Sequence, residues 1–79
     1  MVIKETKYLV FEEDPTKTKT RYVNVINIRS GDFIGEIKWY GPWRQYCFFP
    51  DMDTVWNPTC LDDVNAVILE LMEDRKVKK

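Results

Sequence analysis

Residues 32–49, DFIGEIKWYGPWRQYCFF, contain the pattern that decides the fold. Two runs rich in apolar and aromatic residues flank Gly41-Pro42, and proline presets the φ angle needed at the second position of a type I or II turn. We therefore predict that Gly41-Pro42-Trp43-Arg44 forms a turn joining two antiparallel strands in a β-hairpin.

The two faces of this hairpin follow from the alternation of side chains along a strand. One face is nearly all apolar and is expected to pack on the core; it carries Phe33, Gly35, Ile37, Trp39, Arg44, Tyr46 and Phe48. The other is mixed and carries Ile34, Glu36, Lys38, Tyr40, Trp43, Gln45, Cys47 and Phe49. A β-bulge would shift these assignments.

Two further strands are expected before the hairpin. Residues 8–11, YLVF, and residues 21–28, RYVNVINI, are rich in strand-forming residues, and the polar loop 13–20, EDPTKTKT, separates them. Residues 30–32, SGD, are typical of a turn, and residues 54–56, TVW, offer a short additional strand.

The last quarter of the chain changes its period. From Leu61 onward apolar residues recur at the spacing of one helix face. The predicted face comprises Leu61, Val64, Val67, Ile68, Leu71 and Met72. Thr59 suits the N-cap position, and Asp62 three residues later completes a weak capping box.

These elements predict a single α+β domain over residues 1–79. Because sequential strands usually pair, we expect a four-stranded antiparallel β-meander. The one C-terminal α-helix is expected to pack on one sheet face, in the order ββββα, because its apolar stripe needs a surface to bury.

Composition argues against catalysis and against cofactors. The 79 residues include no His and only two Cys, so neither an imidazole base nor a four-ligand zinc site is available. There is no glycine-rich phosphate loop and no nucleophile–base pair. Asp51, Asp53, Asp62 and Asp63 lack the spacing of a calcium loop and are interpreted as solvated. We therefore expect a protein that is not an enzyme and binds no cofactor or metal.

Sequence patterns also predict a cytoplasmic protein without a membrane segment. No apolar run approaches the ~20 residues of a transmembrane helix, and the N-terminus does not resemble a signal peptide. Cys47 and Cys60 are accordingly expected to be reduced free thiols, with a structural disulfide as the alternative.

The mixed hairpin face is the leading functional candidate. Tryptophan, tyrosine and arginine dominate the energetics of protein interfaces. The candidate binding residues are Lys38, Tyr40, Trp43, Gln45 and Phe49. They predict a small interaction module that binds a protein partner or a second copy of itself, which the unpaired edges of the sheet would favour. The alternative is that these aromatic side chains only cover the sheet.

Nucleic-acid binding is the second hypothesis. Residues 16–29 contain four basic residues and no acid, although the whole chain has a net charge of −1. The residues that would contact phosphates are Lys17, Lys19, Arg21, Lys38 and Arg44. A third hypothesis is an accessory subunit whose acidic C-terminal third mimics nucleic acid. Arg44 has structural alternatives, as a partner of Glu70 or Asp74 or as a cation stacked on Trp39.

Two resemblances extend this interpretation. Residues 35–50, GEIKWYGPWRQYCFFP, and the following TVWNPTCLDDVNAVI resemble a family of short uncharacterised bacterial and phage or prophage-encoded proteins. The residues that carry the match are Lys38, Trp39, Trp43, Arg44, Tyr46, Phe48, Phe49, Pro50, Cys60 and Leu61. The resemblance implies a bacterial or mobile-element origin and supplies no catalytic residues. The predicted architecture is also similar to integrase arm-binding and AP2-type domains, which place a sheet in the DNA major groove.

Overall fold

The chain folds into one antiparallel sheet with a helix on one face. A computed structural model describes residues 1–16 and 19–77. Its elements are β1 Val2–Glu5, β2 Leu9–Glu13, β3 Tyr22–Asn27, β4 Phe33–Tyr40, β5 Gln45–Pro50 and α1 Pro58–Val77, with a 3-10 turn at Gly41–Trp43. The strands follow one another in the sheet in chain order, and each neighbouring pair is antiparallel.

The prediction of an antiparallel meander with one C-terminal helix is confirmed, but the sheet has five strands rather than four. The additional strand is β1, which pairs with β2 through a register shift between Val2 and Lys4. Residues 54–56 do not form a strand. Their polar groups bond locally instead: Thr54 Oγ1 donates to the Asp51 carbonyl, and Trp56 Nε1 donates to Thr54 Oγ1.

The predicted hairpin is confirmed with its four-residue connection. Tyr40 pairs with Gln45, so residues 41–44 lie outside the ladder. They form a 3-10 turn, and Arg44 closes it in the left-handed region at φ 53° by donating its N–H to the Gly41 carbonyl.

The helix begins earlier than its apolar pattern indicated. Asn57, not Thr59, caps it: its side-chain oxygen accepts the Cys60 N–H at 2.8 Å, and Pro58 takes the first helical position. Leu61, predicted on the buried face, is 49% exposed, and Cys60 is buried in its place. The rest of the predicted face packs on the sheet.

The core lies between α1 and one sheet face. Its sheet side chains are Leu9, Phe11, Val23, Val25, Ile37 and Tyr46, and its helix side chains are Cys60, Val64, Val67 and Leu71. The directly paired residues Phe11 and Val25 share this face, as do Val23 and Ile37. Trp39 and Phe48 are half-buried against the same core, on the face that alternation predicted.

Ion pairs tie the helix to the sheet. Arg21 donates two hydrogen bonds to the Glu13 carboxylate and one to Asp74, while Lys4 pairs with Glu70 at 2.6 Å. The cation over the Trp39 ring is Arg75, at 4.0 Å from the ring centroid. The roles considered for Arg44 are therefore filled by other residues.

The outer edge of β5 is partly blocked. The Tyr46 N–H points away from β4 and donates to the sulfur of Met72 at 3.4 Å. Pro50, four residues along and on the same side of the backbone, has no N–H to offer. Such edges resist pairing with another strand, so the face of the sheet is a better candidate surface than this edge.

Candidate interaction face

The face of the sheet opposite α1, here called the open face, is not covered by the helix. The strand register places one set of side chains on it. These are Val2, Glu5, Val10, Glu12, Tyr22, Asn24, Ile26, Phe33, Glu36, Lys38, Tyr40, Gln45, Cys47 and Phe49. It therefore includes four of the five predicted binding residues, and the fifth, Trp43, lies in the adjoining turn.

An aromatic cluster occupies the open face beside this turn. The Tyr40 ring meets Trp43 edge to face at 5.1 Å between centroids, and it meets Phe49 at 6.0 Å. Lys38 Nζ lies 4.6 Å from the Phe49 centroid. Trp43 is nonetheless 67% exposed, so a large ring is held against its neighbour while most of its surface meets water. Gln45 is exposed next to Tyr40, its partner in the ladder.

The turn explains how Trp43 reaches the sheet. Pro42 sets the first turn of the 3-10 segment, and the left-handed Arg44 returns the chain into β5. This compact path places Trp43 over Tyr40, three residues earlier in the chain. The local sequence Tyr-Gly-Pro-Trp-Arg therefore builds the most exposed part of the cluster.

A row of polar residues crosses the open face next to this cluster. Glu12, Asn24 and Glu36 are directly paired across β2, β3 and β4, and Glu36 in turn pairs with Phe49 of the aromatic cluster on β5. Lys38 donates to Glu36 at 3.1 Å, while Glu5 and Glu12 add two further carboxylates. The open face thus carries more negative than positive charge.

A β-bulge changes two assignments made from alternation. The β3–β4 register shifts between Val25 and Ile26, so Ile26 pairs with Phe33 and Val25 pairs with Gly35. Phe33, predicted on the core face, is 59% exposed, and Ile34, predicted on the other face, packs against the core. Val10, Ile26 and Phe33 consequently form an apolar group at the far end of the open face, which the hairpin sequence alone did not indicate.

The predicted nucleic-acid residues do not form one patch. Arg21 is engaged by Glu13 and Asp74, and Lys38 by Glu36. Lys19 and Arg44 are exposed, and Lys17 lies outside the described residues. Hydrogen bonding to Glu13 raises the pKa of the Arg21 guanidinium above its usual value, so Arg21 stays charged and paired.

The cysteines lie on opposite sides of the sheet. Cys47 lies opposite Lys38 in the β4–β5 ladder, on the open face, whereas Cys60 belongs to α1 and is buried in the core on the other side of the sheet. Both are free thiols, because the sheet separates them. Within residues 1–16 and 19–77, no group of three or more His, Cys, Asp or Glu side chains is arranged to hold a metal ion.

The described part of the chain contains no helix long and apolar enough to cross a membrane.

The chain is similar to the "Uncharacterized 9.3 kDa protein" of Acholeplasma phage L2. The two are 38% identical over 77 residues, which cover 96% of this chain and 99% of the relative. The similarity confirms the resemblance to short phage proteins and extends it beyond the hairpin and the start of the helix to nearly the whole chain. No protein-family model matches the chain, and no solved structure matches it.

Proposed function

The chain belongs to the family of the 9.3 kDa protein of Acholeplasma phage L2, and from that premise we propose that it is a non-enzymatic module that binds another protein through its open face. The observation that carries the proposal is Trp43, which is 67% exposed yet held edge to face against Tyr40. A tryptophan fixed in this way offers a large contact area at little entropic cost on binding.

The apolar and acidic side chains of the open face support a proposal for the chemistry of the partner. The aromatic cluster would receive apolar side chains, and the neighbouring carboxylates of Glu5, Glu12 and Glu36 would attract basic ones. We therefore propose a partner surface with apolar side chains bordered by lysine or arginine. The pairing of opposite charges across an interface contributes to the specificity of binding and to the association rate.

Binding of nucleic acid through the open face has less support. The glutamates in the middle of the open face would repel phosphates. Lys38, the positively charged residue that the strand register places on this face, already contacts Glu36. Domains that place a sheet in the DNA major groove need a basic sheet surface. Binding of DNA is therefore an alternative result that the experiment below distinguishes from binding of a protein.

The proposal is tested by affinity capture with the immobilised protein. Lysates come from cells infected with Acholeplasma phage L2 and from uninfected cells. The variants are Trp43→Ala on the open face and, as a matched control, Leu69→Ala, which removes an apolar side chain that is 60% exposed on α1. We expect a specific protein to be retained by the wild type and by Leu69→Ala, and about tenfold less by Trp43→Ala.

The retained protein is then identified and its binding measured with purified components. Circular dichroism should show that both variants are folded. If Trp43→Ala and Tyr40→Ala each retain every captured protein as well as the wild type does, the open face is not the binding surface. If fluorescence anisotropy instead shows salt-sensitive binding of short DNA that Lys38→Ala weakens, the nucleic-acid alternative replaces the proposal.

A further inference from the structure

Two adjoining clefts form a second surface, at the end of the sheet opposite the Gly41–Trp43 turn. We call it the end surface. One cleft, of about 460 Å³, lies between the start of β2, the end of β3 and the start of α1. The other, of about 580 Å³, lies between the β3–β4 turn and residues 53–55. The clefts share Asn27, Ile34 and Val55.

Apolar side chains are exposed across the end surface. Val55 is 94% exposed, Phe33 is 59% exposed, and Tyr8 and Ile28 are each 41% exposed. The segment that presents Val55 is held in place, because its neighbour Trp56 donates to Thr54 Oγ1 and stacks edge to face on Phe48 at 4.6 Å. Tyr8 and Ile28 line the first cleft, Phe33 lines the second, and Val55 lines both. Exposed apolar side chains grouped on an ordered framework are typical of an interface.

The charges of the end surface are divided between the two clefts. The first is lined by Lys7 and Arg29 and by no acidic residue. The second is lined by Asp32 and Asp53 and by no basic residue. Within the described residues, none of these four side chains forms an ion pair within 4.0 Å. The end surface therefore has a basic half and an acidic half, neither of them neutralised by an ion pair within the described chain.

A surface divided in this way is complementary to itself. A twofold axis passing near Val55 would place the basic half of one copy on the acidic half of the other, and would do so twice. It would also bring the exposed apolar side chains of the two copies together. We infer that the end surface is a dimer interface between two copies of this chain.

Other occupants fit the end surface less well. Nucleic acid or an acidic peptide would match the basic half and meet repulsion from Asp32 and Asp53. A basic partner would match only the acidic half. A second copy matches both halves at once, and this interface leaves the aromatic cluster at Tyr40 and Trp43 free, so the inference does not depend on the proposed function.

The test is a charge exchange between two variants. The first, Lys7→Glu with Arg29→Glu, makes the end surface wholly acidic. The second, Asp32→Lys with Asp53→Asn, leaves it only basic charges; asparagine is used at Asp53 because it tolerates the φ of 61° there. Sedimentation equilibrium and light scattering measure association of each protein and of their equimolar mixture.

We expect the wild type to dimerise with a micromolar dissociation constant that rises with salt, because the surface is small and its charges are exposed. Each variant alone should dimerise about tenfold more weakly or not at all, and the mixture should regain a dimer containing one copy of each. Lys76→Glu, a charge reversal elsewhere on the surface, and Trp43→Ala should leave dimerisation unchanged.

Three results would overturn the inference. The first is a wild type that stays monomeric at concentrations up to about 1 mM. The second is a mixture of the two variants that associates no better than either alone. The third is a dimer that Trp43→Ala disrupts and the end-surface variants do not, which would place the interface on the open face.

Discussion

Gly35 shows how closely the core face of the sheet is packed. A Cβ atom at this position would lie 2.6 Å from Cε1 of Phe48 and 3.1 Å from the Phe49 carbonyl oxygen. The Phe48 ring cannot simply turn away, because it packs against Trp56. Glycine at this position therefore leaves room for the Phe48 ring to lie over β4, where it packs against Trp56.

We predict that Gly35→Ala lowers the free energy of unfolding by about 1–3 kcal/mol, because the added methyl group overpacks this contact. Urea unfolding followed by tryptophan fluorescence measures the change. Gly41→Ala is the matched control: beyond its chain neighbours, no atom lies within 4 Å of the place a Cβ would take, so its effect should stay within about 0.5 kcal/mol. Equal stability of the two variants would mean that Phe48 moves freely.

At the scale of elements, α1 buries the apolar residues on one of its faces and leaves others exposed. Leu71 is 2% exposed and packs in the core, whereas Leu69, two residues earlier, is 60% exposed. The same residue type in the same helix therefore has different roles, because successive helical positions point in different directions. The Asn57 cap begins the helix early enough to bury Cys60 rather than Leu61.

We predict that Leu71→Ala lowers the free energy of unfolding by about 2–5 kcal/mol, through lost burial and the cavity that remains. Leu69→Ala should change it by less than about 0.5 kcal/mol. Thermal unfolding monitored by the helical signal in far-ultraviolet circular dichroism compares the two. A loss of stability in Leu69→Ala as large as in Leu71→Ala would show that α1 packs by another face.

At the scale of the whole molecule, Arg21 connects distant parts of the chain. Its guanidinium contacts Glu13 at the end of β2 and Asp74 near the end of α1, and its backbone N–H donates to the hydroxyl of Tyr46 in β5. Because its folded pKa is raised, the contribution of the Arg21 charge is present near neutral pH and is lost as the pH rises through that folded pKa in strong alkali.

We predict that Arg21→Met lowers the free energy of unfolding by about 1–2 kcal/mol, since the ion pairs are partly screened by solvent. The stability of the variant should also depend less on salt than that of the wild type. Arg29→Met, measured at low protein concentration, removes an exposed cation and should have little effect. An unchanged salt dependence in Arg21→Met would indicate that the network adds no stability.

Much of the open face could be predicted from the sequence. Turn chemistry and alternation within one hairpin placed Lys38, Tyr40, Gln45 and Phe49 together and put Trp43 beside them. Alternation failed at Phe33 and Ile34, because the β-bulge depends on how β3 and β4 pair rather than on either strand alone. It could not indicate Val10 and Ile26 either, since their place beside Phe33 follows from pairing across three strands.

The sequence by itself determined the features that depend on neighbouring residues: the hairpin with its turn, the period of α1 and the two faces of β5. Only the tertiary structure decided the rest. The short strand β1 gains its hydrogen bonds from β2, and Arg75 rather than Arg44 reaches Trp39. The end surface combines segments far apart in the chain. Local periodicity cannot specify such contacts, because they depend on the register of the sheet and on where the helix lies across it.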